Sequence, residues 1–233
     1  MVKKTPLVLL PGLLCDAALW RGQIDDLGDI AAPWVADLTR DDSMTAMARR
    51  VLAAAPSRFA LAGLSMGGYV AQEIMRQAPE RVMRLALLDT GSRADTAEQT
   101  ARRRGLIELA EKGEFRGVTP RLLPVFLHSA RLSDQTLTAA VTAMAERVGK
   151  DAFLRQQRAI MSRPDSRPGL PAINCPTLVL CGREDQLTPL ELSEEIVSLI
   201  KGARLAIVEE CGHLATMERP WEVSVHLRQW LTE

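Results

Sequence analysis

Three shortages narrow what this chain can be. It has no surplus charge: Lys plus Arg number 29 and Asp plus Glu 29 in 233 residues, a formal net charge of zero. A protein that holds nucleic acid or an anionic membrane through its field needs a basic excess, so neither partner is expected. Local clusters such as ARRRG (101–105) read as solvated faces. Cysteine is scarce: Cys15, Cys175, Cys181 and Cys211 form no CxxC pair. That spacing argues against a zinc site and against a disulfide framework. The four read as reduced small hydrophobes of a cytoplasmic protein, and no metal is expected. Long hydrophobic runs are also missing, with none reaching the ~18 residues of a membrane span.

The N-terminus, MVKKTPLVLLPGLLCD, resembles a secretion signal at first sight. Pro11-Gly12 breaks its apolar run after about five residues, short of the usual ~7–15, and Leu14 is no small-residue cleavage site. PLVLL reads instead as a buried strand. Hydrophobic residues make up 47% of the chain and charged residues 25%, the balance of a globular protein with a core.

Short apolar runs alternate with helical patterns. Candidate strands lie at 6–10, 30–38, 58–63, 84–89, 177–182 and 204–209. Several are apolar on consecutive residues, as in parallel strands covered on both faces. Between them, Met44, Met47, Ala48, Val51 and Leu52 recur at helical spacing before Pro56, and Val70, Ile74 and Ala78 do so before Pro79. Thr188-Pro189-Leu190-Glu191 looks like a capping box, and Val223, Leu227, Trp230 and Leu231 mark the inward face of a last helix after Pro220. The alternation predicts a parallel sheet wound by right-handed crossovers. It breaks once. Residues 91–171 hold only amphipathic helical segments, too long for an ordinary connection. They are expected to form a helical cap inserted into a core made of 1–90 and 172–233.

Gly63-Leu64-Ser65-Met66-Gly67 follows a predicted strand and opens a predicted helix. A Gly-x-Ser-x-Gly match alone is weak, but this context is that of a nucleophile elbow. There the serine is strained so that its hydroxyl stands clear, and side chains at the flanking glycines would collide with the turn. Such a hydroxyl needs a base. Of three histidines, His226 lies inside the last helix and His128 inside the insertion. His213 follows the last strand, in a loop at the sheet's carboxyl end, where functional loops gather. The base needs a carboxylate to orient it, and Asp185 follows the strand TLVLCG, with Asp89 as runner-up and Glu184 directed elsewhere. The order Ser65, Asp185, His213 fits a hydrolase of this kind. An oxyanion hole would use the N–H of Met66 and one from the loop after the first strand, at Leu13 or its neighbour Leu14.

LPGLLCDAALW, GLSMGGYVAQE, APERVMRLALLD, PTLVLCGREDQLTP and CGHLATMERP together resemble the α/β-hydrolase superfamily, in particular its small lid-bearing branch of carboxylesterases, enol-lactonases and haloperoxidase-like enzymes. The resemblance implies an α/β-hydrolase fold: a mostly parallel sheet of about six strands flanked by helices, with a helical cap and the N-terminal antiparallel hairpin missing or reduced. It carries the catalytic roles onto Ser65, Asp185 and His213 and the oxyanion roles onto Leu13 and Met66. It implies hydrolysis of a small-molecule carboxylic ester or lactone through an acyl-serine, without cofactor. The sequence departs from the family at Pro11-Gly12, where His-Gly is usual, and at DLTRDD (37–42). Leu14, Phe126, His128, Met144 and Met161 are candidate substrate contacts. Arg163, Asp165 and Arg167 read as a hinge ion pair or a carboxylate site. Two rivals stay open: lyase-like or carbon–carbon cleavage on the same groups, and a receptor that binds without turnover.

Overall fold

The computed structural model describes residues 4–233, so the start of the signal-like stretch, including Lys3, lies outside the described residues. Strand β1 (Thr5–Leu10) leads through a loop and a 3-10 turn into helix α1 (Arg21–Leu27) and strand β2 (Ala31–Val35). Helix α2 (Met44–Ala54), strand β3 (Phe59–Leu64), helix α3 (Met66–Gln77) and strand β4 (Val82–Leu88) follow. Helices α4 (Ala97–Leu109), α5 (Leu123–Phe126) and α6 (Gln135–Met161) come next, before strand β5 (Thr177–Gly182). The chain closes with helix α7 (Leu190–Leu199), strand β6 (Arg204–Val208) and helices α8 (Ala215–Glu218) and α9 (Pro220–Thr232).

The six strands form one sheet in the order β2-β1-β3-β4-β5-β6, every neighbouring pair parallel. Every residue of β3 and of β5 is buried, which is why these stretches are apolar without alternation. Alternate side chains supply two cores, one on each face. Leu7 and Leu9 join one, Val8 and Leu10 the other. Pro33 has no N–H to donate, and β2 is an edge strand, where that loss is tolerated. The strand expected over 30–38, at the end of that stretch more than its start, forms at the start instead, over Ala31–Val35.

The strand order reverses beside β1: its successor β2 lies on one side and β3 on the other. Chain leaving the carboxyl ends of β1 and β3 therefore diverges, opening the crevice in which sheets of this kind hold ligands.

Between β4 and β5 the described chain contains helices and turns and no strand. Helix α6 is bent at Gly149. Several buried or half-buried contacts tie this segment to the sheet's loops. Arg155 donates to the Thr39 carbonyl at 2.7 Å, and Gln156 reaches Leu38 at 3.1 Å. His213 donates its backbone N–H to the Phe126 carbonyl at 2.9 Å. Where the segment returns to the sheet, Arg163 pairs with the buried Asp95 at 2.6 Å, and Arg167 pairs with Asp165 and Glu195.

The capping box expected at Thr188 does not form. Helix α7 starts after Pro189 without a side-chain cap. The Thr188 hydroxyl instead donates to Asp185, an ionised acceptor that competes better than the helix end.

Candidate active site

Ser65 sits between β3 and α3 with φ 55° and ψ −115°, a region that costs a non-glycine residue strain. Its neighbours make that turn possible. A Cβ at Gly63 would overlap the backbone of Gly67, and one at Gly67 would overlap the carbonyl of Leu10. Only glycine permits β1, β3 and α3 to approach this closely. The turn is locked by the Ser65 N–H donating to Leu88 at 2.9 Å and the Thr90 hydroxyl donating to the Ser65 carbonyl at 2.8 Å. Among the described residues, four that are not glycine have positive φ: Leu14, Ser65, Asp89 and Glu210. All four lie in loops beyond the carboxyl ends of strands, so backbone strain gathers at one rim of the sheet.

Three distant segments meet there. The Nε2 of His213 is 2.9 Å from the Ser65 Oγ, and its Nδ1 is 2.8 Å from Oδ2 of Asp185. Asp185 and His213 are both 4% exposed. Burial pushes the Asp185 carboxyl up, but the facing His213 and four hydrogen-bond donors outweigh it, so the group titrates below the ordinary aspartate value. Those donors are His213 Nδ1, the Thr188 hydroxyl at 2.5 Å, and the N–H groups of Leu187 and Thr188 at 2.8 and 3.0 Å. A carboxylate so held stays ionised at neutral pH and fixes the imidazole.

The other acids serve other tasks. Asp89, the sequence's runner-up, does not face His213. It accepts from the N–H of Gly182 at 2.9 Å and of Ala215 at 3.4 Å, and bridges the loops that carry Asp185 and His213. Burial, then the charge of Asp185, raises its pKa well above the ordinary value. Glu184 accepts from the Cys211 N–H at 3.0 Å, away from the imidazole. Glu218, which sequence reasoning passed over, is buried. One of its oxygens accepts from the N–H of Gly212 and Leu214, and the other from the N–H of His128.

The loop after β1 lies over the serine: a Cβ at Gly12 would stand 3.5 Å from that of Ser65. The sequence assigns the donor toward the reacting oxygen to Leu13, with its neighbour Leu14 as the alternative. The N–H of Leu14 is already engaged, donating to Oε1 of the buried Gln156 at 3.0 Å. The N–H groups of Leu13 and Met66 have no acceptor among the described residues. Met66 opens α3, where the first N–H groups are necessarily unpaired within the helix.

A cavity of about 360 Å³ opens onto Ser65, His213 and Leu13, at the lower end of the range for small-molecule sites. Of the candidate substrate contacts, Leu14, Phe126 and Met144 line it. Two candidates do not. His128 caps the turn Ser129–Arg131 and gives its own N–H to Glu218. Met161 ends α6 and turns away, and Ile160 takes the lining position, because one residue along a helix rotates a side chain by about 100°. Cys15 also lines the cavity, but burial first, and Asp16 next, pushes its thiol up to about 12, so it stays protonated and is a poor nucleophile. Among the described residues no three His, Cys, Asp or Glu side chains gather to hold a metal ion, and no helix is long and apolar enough to cross a membrane.

Sequence reasoning also missed Gln156 and Gln157. A signal was present: Phe153, Gln156, Gln157 and Ile160 share one face of α6, and all four are buried. Two amides on an otherwise apolar stripe need partners, and here the partners are loop backbone and an arginine.

Residues 7–226 match the model of the alpha/beta hydrolase family. The pimeloyl-acyl-carrier-protein methyl ester esterase of Aliivibrio fischeri is 26% identical over 208 residues, spanning 80% of this chain and 75% of that protein. The solved structure of a thermophilic esterase from Thermogutta terrifontis superposes with a TM-score of 0.89 at 27% identity, covering 98% of this chain and 90% of the other. An enol-lactonase from Burkholderia xenovorans LB400 shares the fold, with a TM-score of 0.88 at 20% identity over 99% of this chain and 92% of its own.

Proposed function

This chain belongs to the alpha/beta hydrolase family, and from that premise we propose that it hydrolyses a small-molecule carboxylic ester or lactone through an acyl intermediate on Ser65. The observation that carries the reading is the pair of contacts around His213, 2.9 Å to the Ser65 Oγ and 2.8 Å to Asp185. With its Nδ1 proton directed at Asp185, the imidazole presents the Nε2 lone pair to the serine.

The Ser65 Oγ attacks the acyl carbon and its proton passes to Nε2. The carbonyl oxygen gains negative charge and is received by the N–H groups of Leu13 and Met66, neither of which has an acceptor among the described residues. Collapse expels the alcohol oxygen, which takes the proton from Nε2. Water then attacks the acyl-serine, gives a proton to Nε2, and the acid leaves as that proton returns to Ser65. Asp185 stays ionised and stabilises each imidazolium. Helices α4, α5 and α6 act as a cap: Val118, Phe126, Val141 and Met144 from this segment line the cavity and exclude water from the acyl chain.

The test pairs a fluorophosphonate probe with p-nitrophenyl esters of increasing chain length. Labelling and turnover are both expected, and both vanish in Ser65→Ala. Absence of labelling in the folded wild-type protein overturns a nucleophilic Ser65. Labelling without turnover of any ester or lactone overturns the substrate class.

A further inference from the structure

We propose that the substrate carries a carboxylate in addition to its ester, and that a donor-lined wall on helix α4 holds it. The inference rests on the ester-hydrolase reading and names its substrate class.

The charge of the cavity is the first ground. Two arginines line it and, among the described residues, no aspartate or glutamate does. The chain as a whole is formally neutral, so this cationic lining is local. A cavity with a low-dielectric wall and one sign of charge raises the local concentration of the opposite sign.

The arrangement of donors is the second. Gln99, Arg102, Arg103 and Leu106 follow one another at i, i+3, i+4 and i+7 on α4, which sets all four on one face, and all four line the cavity. Arg103 is fixed, with Nε on the buried Asp95 at 2.7 Å and one terminal nitrogen on Oε1 of Gln157 at 2.9 Å. That bond uses the amide oxygen of Gln157, a residue that lines the cavity, and leaves the amide nitrogen uncommitted. Gln157 is 1% exposed, yet its Nε2 has no protein acceptor among the described residues. Gln99 repeats the pattern: its oxygen accepts from the Thr96 N–H at 2.9 Å, and its nitrogen is uncommitted. Arg102 has no carboxylate partner among the described residues. The protein has thus used the acceptors of both amides and left the donors. A donor in a cavity wall with no protein acceptor is available to a ligand that brings one. Planar guanidinium and amide N–H groups suit a carboxylate, which has acceptors only. Asp95 is shared by Arg103 and Arg163 and offsets one of their two charges, so the wall keeps a net positive charge to which Arg102 adds, and Gln157 supplies a hydrogen bond.

The test compares charged and uncharged esters of equal length in two arms. One arm uses monomethyl esters of straight-chain dicarboxylic acids, with the charge on the acyl side. The other uses acetyl esters of ω-hydroxy acids, with the charge on the alcohol side. The wild-type enzyme is expected to prefer the charged member by ~10-fold or more in kcat/KM in one arm, and that arm assigns the side. The preference falls to near unity in Arg102→Ala, inverts in Arg102→Glu, and drops several-fold in Gln157→Leu. It also shrinks as salt rises, since Arg102 is exposed. Arg104→Ala, on an exposed side chain that does not line the cavity, keeps it. The same esters are titrated calorimetrically into Ser65→Ala, where no turnover intervenes. Tighter binding of the charged ester there, without turnover by wild type, overturns the hydrolase reading and leaves the anion subsite standing. Equal turnover and equal binding of charged and uncharged esters overturn the subsite and leave the hydrolase reading intact.

Discussion

The backbone N–H of Leu14 donates to Oε1 of Gln156 at 3.0 Å, across 142 positions of sequence, while Nε2 of the same amide holds the Leu38 carbonyl at 3.1 Å. One buried side chain of α6 thereby fixes the loops after β1 and β2. In the proposed mechanism, with the Leu14 N–H taken, that of Leu13 is left to receive the reacting oxygen. Gln156→Leu is expected to lower kcat on p-nitrophenyl acetate by ~10- to 100-fold with KM within about 2-fold, somewhat less than deleting an oxyanion donor outright. Gln156→Glu keeps an acceptor for Leu14 and should recover most of the loss. Steady-state kinetics on the two variants checks this. Equal losses in both would assign the effect to the Leu38 contact instead.

Oδ2 of Asp185 accepts from both His213 Nδ1 and the Thr188 hydroxyl, at 2.8 and 2.5 Å. A hydrogen bond to a charged group contributes about 1.5–3 kcal/mol. Thr188→Val keeps the side-chain shape and deletes that donor, so kcat/KM should fall by about 10-fold, with Thr188→Ser close to wild type. The comparison of the three enzymes on one ester is the check.

Asp89 gives a pH dependence of stability. Its folded-state pKa is raised, by burial first and Asp185 second. In the unfolded chain it ionises near the ordinary aspartate value, so above that value the unfolded state has lost a proton that the folded state keeps. The contribution of Asp89 is therefore fully present below the ordinary value and is lost as pH rises toward the raised one, at up to about 1.4 kcal/mol per pH unit. Asp89→Asn keeps an acceptor for Gly182 and cannot ionise. Its urea-denaturation free energy should lack this downward slope, and a slope equal to that of wild type would contradict the assignment.

Glu218 accepts from three backbone N–H groups, those of Gly212, Leu214 and His128, and so joins the His213 loop to the segment after α5. Glu218→Leu leaves three donors without acceptors, at about 1–3 kcal/mol each. Chemical denaturation should show a loss of about 3 kcal/mol or more, with Glu218→Gln, which retains one acceptor, intermediate.

The sheet was legible because parallel strands covered on both faces must be apolar throughout, and several such runs separated by helical periods leave few arrangements. FALAGL and TLVLCG are buried at every position. The strained serine was legible for the same kind of reason: Gly63 and Gly67 are places where no side chain fits, and that requirement is written in residue type. Ser65, Asp185 and His213 could be singled out because each follows its own strand and topology sends those ends to one rim.

What the sequence could not express is which partner a polar group chooses. Thr188 reads as a helix cap by local spacing, yet it donates to Asp185 because an ionised oxygen three residues away is the stronger acceptor. Nothing in the Leu13-Leu14 dipeptide tells that the Leu14 N–H has an acceptor; that depends on the arrival of Gln156 from α6. Local periodicity is a property of the chain and survives in the string of letters. Hydrogen-bond pairing between segments more than a hundred residues apart depends on distances that exist only after the sheet and the inserted helices have packed.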